Sequence, residues 1–108
     1  MGRFVRGDVV VVPFPFSDLS AAKRRPALVI AELQGDDVIL CQITSQARRD
    51  RYPLRAGDFA EGGLRQNSFV RPNRVFTADS TIILYRVGML GPAKLQQVAA
   101  AIARIVGA

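Results

Sequence analysis

"TIILYRVGMLGPAKLQQVAAAIARIVG", residues 81–107, decides the fold. Residues 81–90 are rich in β-branched and apolar types and read as a strand. The character changes at Gly91. Pro92 suits the first turn of a helix, where its missing N–H costs nothing. Leu95, Val98, Ala99, Ile102, Ile105 and Val106 then recur at the three-and-four spacing of one helical face. Gly107 is placed to end that helix.

Upstream of this switch only strands are expected. "GDVVVVPFPF", residues 7–16, holds a run without alternation, so a strand from Asp8 to Val12 is buried on both faces. Pro13 and Pro15 cannot donate to a ladder and end the strand or leave it at an edge. "SDLSAAKRR", residues 17–25, is small and polar and reads as a loop. Pro26 forces Arg25 into an extended conformation and opens a second strand over 26–33. Gly35 and Asp36 form a hairpin turn, and residues 37–44 make a third strand. Residues 45–67 are irregular, with a short strand near 52–55 and turns at Gly57, Gly62 and Gly63. "SFVRPNRVFTAD", residues 68–79, is broken by Pro72 into one or two short strands. Strands first and one helix last, without repeats or βαβ alternation, predict a mainly β protein. The expected fold is a small antiparallel barrel with a C-terminal helix and room for short additional helices. A length of 108 residues sets one domain over residues 1–108.

The composition narrows the function. An apolar fraction of 49% and a charged fraction of 22% are those of a folded globular chain. No apolar run reaches the roughly 20 residues that span a bilayer, and "MGRFVRGD" has no secretory h-region. With one cysteine, Cys41, no internal disulfide forms, and a cytoplasmic protein without membrane contact is expected. A net charge of +6 and a pI near 10.7 attract polyanions. The absence of histidine removes the usual general acid and base. One cysteine and no histidine leave no zinc ligand set, so neither a metal nor another cofactor is expected.

Three basic clusters stand out. Lys23, Arg24 and Arg25 precede Pro26, which fixes the backbone beside Arg25. A solvated charged loop and an anion site both explain them; Arg24 and Arg25 would face opposite ways in a strand. "ARRDRYPLR", residues 47–55, combines Arg48, Arg49, Arg51 and Arg55 with Tyr52 as a stacking residue, a pattern that suits a nucleic-acid backbone and equally a flexible charged loop. Arg71 and Arg74 flank Asn73. Thr44, Ser45 and Gln46 end the third strand, where hydroxyls also cap backbone groups. Met89, Cys41, Phe14, Phe16 and Phe76 read as packing.

Taken in order, "RGDVVVVPFPFSDLSAAKRRPALVI", "VILCQITSQ", "SFVRPNRVFTAD" and the terminal helix resemble the PemK/MazF family of toxin endoribonucleases. The resemblance runs from Arg6 to Ile105. Its most specific parts are Gly7-Asp8, Arg25-Pro26 and Ile43-Thr44-Ser45. It implies an SH3-like barrel, a homodimer, and metal-independent cleavage of single-stranded RNA to 2′,3′-cyclic phosphate and 5′-hydroxyl ends. It also implies a cognate antitoxin with an acidic segment. The family's essential arginine falls on Arg25 and its hydroxyl residue on Thr44. Arg71 and Asn73 fall on a further arginine and an acid, so Asn73 departs from members with Asp or Glu there. The histidine that some members carry in the first loop is absent.

The expected catalytic set is therefore Arg25 and Thr44, with Asp8, Asp18 and Glu61 as candidate bases and Asp8 favoured by its motif. A structural role for Asp8 is the alternative. The expected RNA-binding set is Lys23, Arg24, Ser45, Gln46, Arg48, Arg49, Arg51, Ser68, Arg71 and Asn73, with Gln46, Ser68 and Asn73 touching bases. Two other functions fit a basic barrel. One is a module that binds nucleic acid without cutting it. The other is a gyrase poison, which "ARIVGA" disfavours because it lacks bulky aromatic residues.

Overall fold

The computed structural model describes residues 4–14, 23–49 and 51–107. The chain runs through β1 (Asp8–Phe14), β2 (Lys23–Glu32), β3 (Asp37–Thr44), β4 (Tyr52–Leu54), β5 (Phe59–Gly62), β6 (Ser68–Asp79), β7 (Tyr85–Leu90) and α1 (Pro92–Ile105). The strands form one antiparallel sheet in the order β4-β6-β3-β2-β1-β7-β5. The structure spans 33 × 31 × 30 Å. Layers pack only about 10 Å apart, so near-equal extents mean that the sheet curls around its contents.

Burial on both faces of β1 follows from its unbroken valines. Val9 packs in one cluster with Leu28, Cys41, Ile43, Leu54, Val70, Leu90 and Val98. Val10 and Val12 pack in the other with Ala27, Val29, Val38, Leu40 and Ile83. The period of two divides each central strand between these clusters. Helix α1 covers the first, through buried Val98 and half-buried Leu95 and Ile102.

Several boundaries differ from the sequence expectation. β1 continues through Pro13 because β7 has already left it: the β1–β7 pairing stops at Val11, while Pro13 still faces Arg24 on β2. Proline is tolerated on a strand with one neighbour. β2 begins at Lys23, so the three cations lie in the strand and not in a loop. Residues 17–22, with Asp18, and the Phe14 and Phe16 side chains lie outside what is described. The strand expected over 81–90 starts only at Tyr85. Before it, Asp79 accepts from Thr81 N at 2.9 Å and caps a 3₁₀ turn over Ser80–Ile82. β5 arises where an irregular stretch was expected. Gly62, at φ +63°, lets it approach β7, since a Cβ there would collide with the Val87 carbonyl oxygen. On α1, Ile105 and Val106 are exposed, not part of the buried face.

Candidate functional site

The second apolar face ends in polar residues. Ala27 and Val29 on β2 are followed along the same face by Arg25, and Leu40 on β3 by Gln42 and Thr44. Ala27 pairs with Gln42, and two further residues along this register put Arg25 opposite Thr44.

The other wall comes from β6. Cys41 pairs with Val75 and Ile43 with Val70, so Gln42 alone on β3 faces Arg71 to Arg74 on β6. Three extra residues are pushed out as a bulge, in the stretch that holds Pro72, which has no N–H for a ladder. This bulge carries Arg71 and Arg74 to the mouth of the face. Gln46 and Arg51 come from the turn after β3, where Arg51 Nη1 donates to the Gln46 carbonyl at 2.6 Å.

Arg25, Arg51, Arg71 and Arg74 thus line one cavity of about 390 Å³ with Gln42, Thr44 and Gln46. No carboxylate is among these lining residues. The Arg25 Nε is buried and has no hydrogen-bond partner among the described residues. A buried donor left unsatisfied costs about 1–3 kcal/mol, which an anion in the cavity would offset. Thr44 is buried, and its Oγ1 accepts from Gln46 N at 3.3 Å. That bond uses a lone pair and not the hydroxyl proton.

Cys41 holds the bulge from beneath. Its thiol donates to the Arg71 carbonyl at 2.9 Å. Burial pushes the thiol up to about 12, against the pull of the Arg71 charge. The thiolate needed for alkylation is therefore scarce at pH 8. Native protein should resist iodoacetamide at that pH and react fully once unfolded, as intact-mass measurement would show. The sign of the linkage is set by the same shift. The unfolded chain loses this proton near 9.0 and the folded chain near 12, so stability falls as pH rises across that window. Cys41→Ser should lose less stability than the wild type between those values.

The structure does not bring Asp8 to this cavity. Arg25 pairs with Val12, and Asp8 lies four residues further along β1, roughly 13 Å away at ~3.3 Å per residue. Its buried carboxylate accepts from Val5 N and from Arg86 Nε, each at 2.9 Å. Glu61, on β5, takes the other branch of Arg86 at 2.8 Å. Ser68 is also elsewhere: it is buried beside β4, and its hydroxyl donates to the Gln66 carbonyl. Lys23, Arg24, Ser45, Arg48 and Asn73 are exposed and do not line the cavity. Arg49 lines a neighbouring cavity. Gln42 was absent from the expected set, although its spacing of two from Thr44 puts both on one strand face. Arg74 stands beside Arg71 in the sequence, but only the bulge brings both to the cavity. No helix among the described residues is long and apolar enough to cross a membrane.

Comparison with known proteins agrees with this architecture. A chain of the MazE–MazF structure from Deinococcus radiodurans superposes with a TM-score of 0.77 at 19% identity, covering 96% of each chain. An endoribonuclease from a mycobacterial species gives 0.75 at 18% identity, over 99% of this chain and 94% of that one. The Mycobacterium tuberculosis toxin MazF-mt6 gives 0.69 at 21% identity, over 92% and 95%. At these identities the likeness shows a shared fold. No curated protein sequence matches the chain. Residues 5–106 match the family described as PemK-like, MazF-like toxins of type II toxin–antitoxin systems, and with nearly the whole length matched, the chain belongs to that family.

Proposed function

We propose that this toxin is an endoribonuclease that cuts single-stranded RNA at the arginine-lined cavity. The observation that carries the reading is the convergence of four arginines on one cavity with no carboxylate among its described lining residues. Structures named as endoribonucleases share the fold.

RNA brings its own nucleophile. The 2′-oxygen attacks the adjacent phosphorus and the P–O5′ bond breaks, leaving a 2′,3′-cyclic phosphate and a 5′-hydroxyl. The 2′-hydroxyl proton leaves to water in the open cavity, and the departing 5′-oxygen takes one from water. Charge builds on the phosphoryl oxygens in the transition state. Arg25 clamps them, with its buried Nε as one donor, and Arg71 and Arg74 neutralise the flanking phosphates. Thr44 donates its proton to the same phosphate. Arginine stays protonated near neutral pH and is not a free base. Lys23, Arg24, Arg48 and Arg49 steer the strand from outside, and Gln46 and Asn73 contact bases.

A cognate antitoxin with an acidic segment would compete for the same cations, as charge complementarity requires. Structures of related folds with an antitoxin bound give this partner its support. The toxin acts as a homodimer in the cytoplasm on this reading.

The test is incubation of the purified protein with a long mixed-sequence RNA in excess EDTA, followed by mapping of fragment 5′ ends. Cuts at one short recurring sequence, with 5′-hydroxyl ends, are expected. Salt-sensitive binding without cuts would replace the nuclease with a binding module.

A further inference from the structure

A second cavity of about 600 Å³ opens beside the first, and Arg51 lines both. Its other walls are Arg49, Tyr52 and Pro53 near β4, Pro72 on the bulge, and Arg104 and Ile105 at the end of α1. Arg104 Nη2 donates to the Tyr52 hydroxyl at 3.3 Å, tying the last turn of the helix to the ring. No acidic side chain is among the described residues that line the cavity.

We infer that this cavity is a specificity subsite that takes one unstacked base flanking the cleaved phosphate, with its own phosphate held by Arg49 and Arg104. The inference rests on the nuclease reading above. Single-stranded RNA is recognised by splaying a base onto a flat side chain and holding the neighbouring phosphates with cations. Tyr52 supplies a half-buried ring, Pro53 and Pro72 supply apolar faces, and three arginines ring the opening. One shared residue between the cavities matches one step of an RNA strand: Arg51 touches the phosphate that leaves the first cavity and enters the second. An acidic peptide would find the same charges but has no use for adjacent flat faces. The C-terminal helix then contributes to sequence choice as well as to packing.

The experiment uses an RNA whose cleavage sequence has been mapped, and copies with an abasic ribose at each position flanking the cut. In the wild type, one flanking position should lose roughly five- to a hundredfold in cleavage when its base is removed. In Arg104→Ala that penalty should shrink several-fold, since the exposed Arg104 anchors both ring and phosphate. Tyr52→Ala should abolish it. Tyr52 packs against the first core cluster, so Tyr52→Leu serves if the alanine variant does not fold. Equal abasic penalties in wild type, Arg104→Ala and the Tyr52 variant overturn the inference while leaving the nuclease intact, and give the cavity to the acidic partner. If the wild type cuts no RNA, the nuclease reading fails separately. The same comparison by RNA binding then decides the subsite: a base-dependent loss confined to the wild type supports it, and equal losses overturn it.

Discussion

Arg25→Ala is expected to slow RNA cleavage by roughly 10²–10³-fold, the loss seen when one preorganised donor to a developing oxyanion is removed. Single-turnover kinetics on a defined RNA would measure it. Most of the loss should fall on the chemical step, because three other arginines still line the cavity and hold the strand. Arg25→Lys should recover little. A lysine keeps the charge but not the planar fork that meets two phosphoryl oxygens at once. Stability should move the other way or stay level, since the buried Nε has no partner to lose among the described residues. A cavity that holds arginine with no counter-charge among the described residues is built for a ligand at some cost to the empty fold. Equal cleavage by wild type and Arg25→Ala would remove this residue from the chemistry.

Asp8→Asn should have the opposite profile. It is expected to lose about 2–3 kcal/mol of stability, with a drop of roughly 10 °C or more in Tm, while activity per folded molecule stays unchanged. Asp8 is 2% exposed, and its carboxylate accepts from two donors, Val5 N–H and Arg86. An amide must turn its own N–H₂ toward one of them and leave that donor unpaired in a buried place. Glu61→Gln, at an exposed branch of the same network, should change Tm little. Thermal unfolding and cleavage assays on the three proteins separate the roles. Full stability with lost cleavage in Asp8→Asn would return Asp8 to the catalytic set.

How much of this was legible in the chain depended on how local each signal was. Pro92, the apolar spacing to Ile102 and Gly107 act within one helix, and α1 follows them closely. Val9 to Val12 announced a strand buried twice over because no polar residue interrupts them. Arg25, Thr44 and Arg71 follow from the resemblance, Gln46 and Arg51 from the polar and basic stretch after the third strand, and the strands with that turn bring all five to one cavity. Asp8 was ambiguous because a Gly-Asp pair looks the same whether the acid faces a substrate or an arginine 78 positions away. β5 was hidden because its ladder is permitted by two distant glycines, Gly62 and Gly88, of which the first reads singly as a turn and the second as one more residue of a strand. The contact between Arg104 and Tyr52 spans 52 positions and leaves no trace in local pattern.

The looped-out stretch of β6 separates two things that proteins usually change together. On either side of it the pairing with β3 is regular, Val75 to Asp79 with Cys41 to Asp37 and Val70 with Ile43. Removing three residues from Arg71 to Arg74 would bring both flanks into one continuous register, with the strand still paired. Lengthening or shortening this insert therefore edits the recognition surface without asking the core to repack. Within a lineage of such toxins, drift in the length and cation content of this single insert offers a route to new target sequences on an unaltered scaffold.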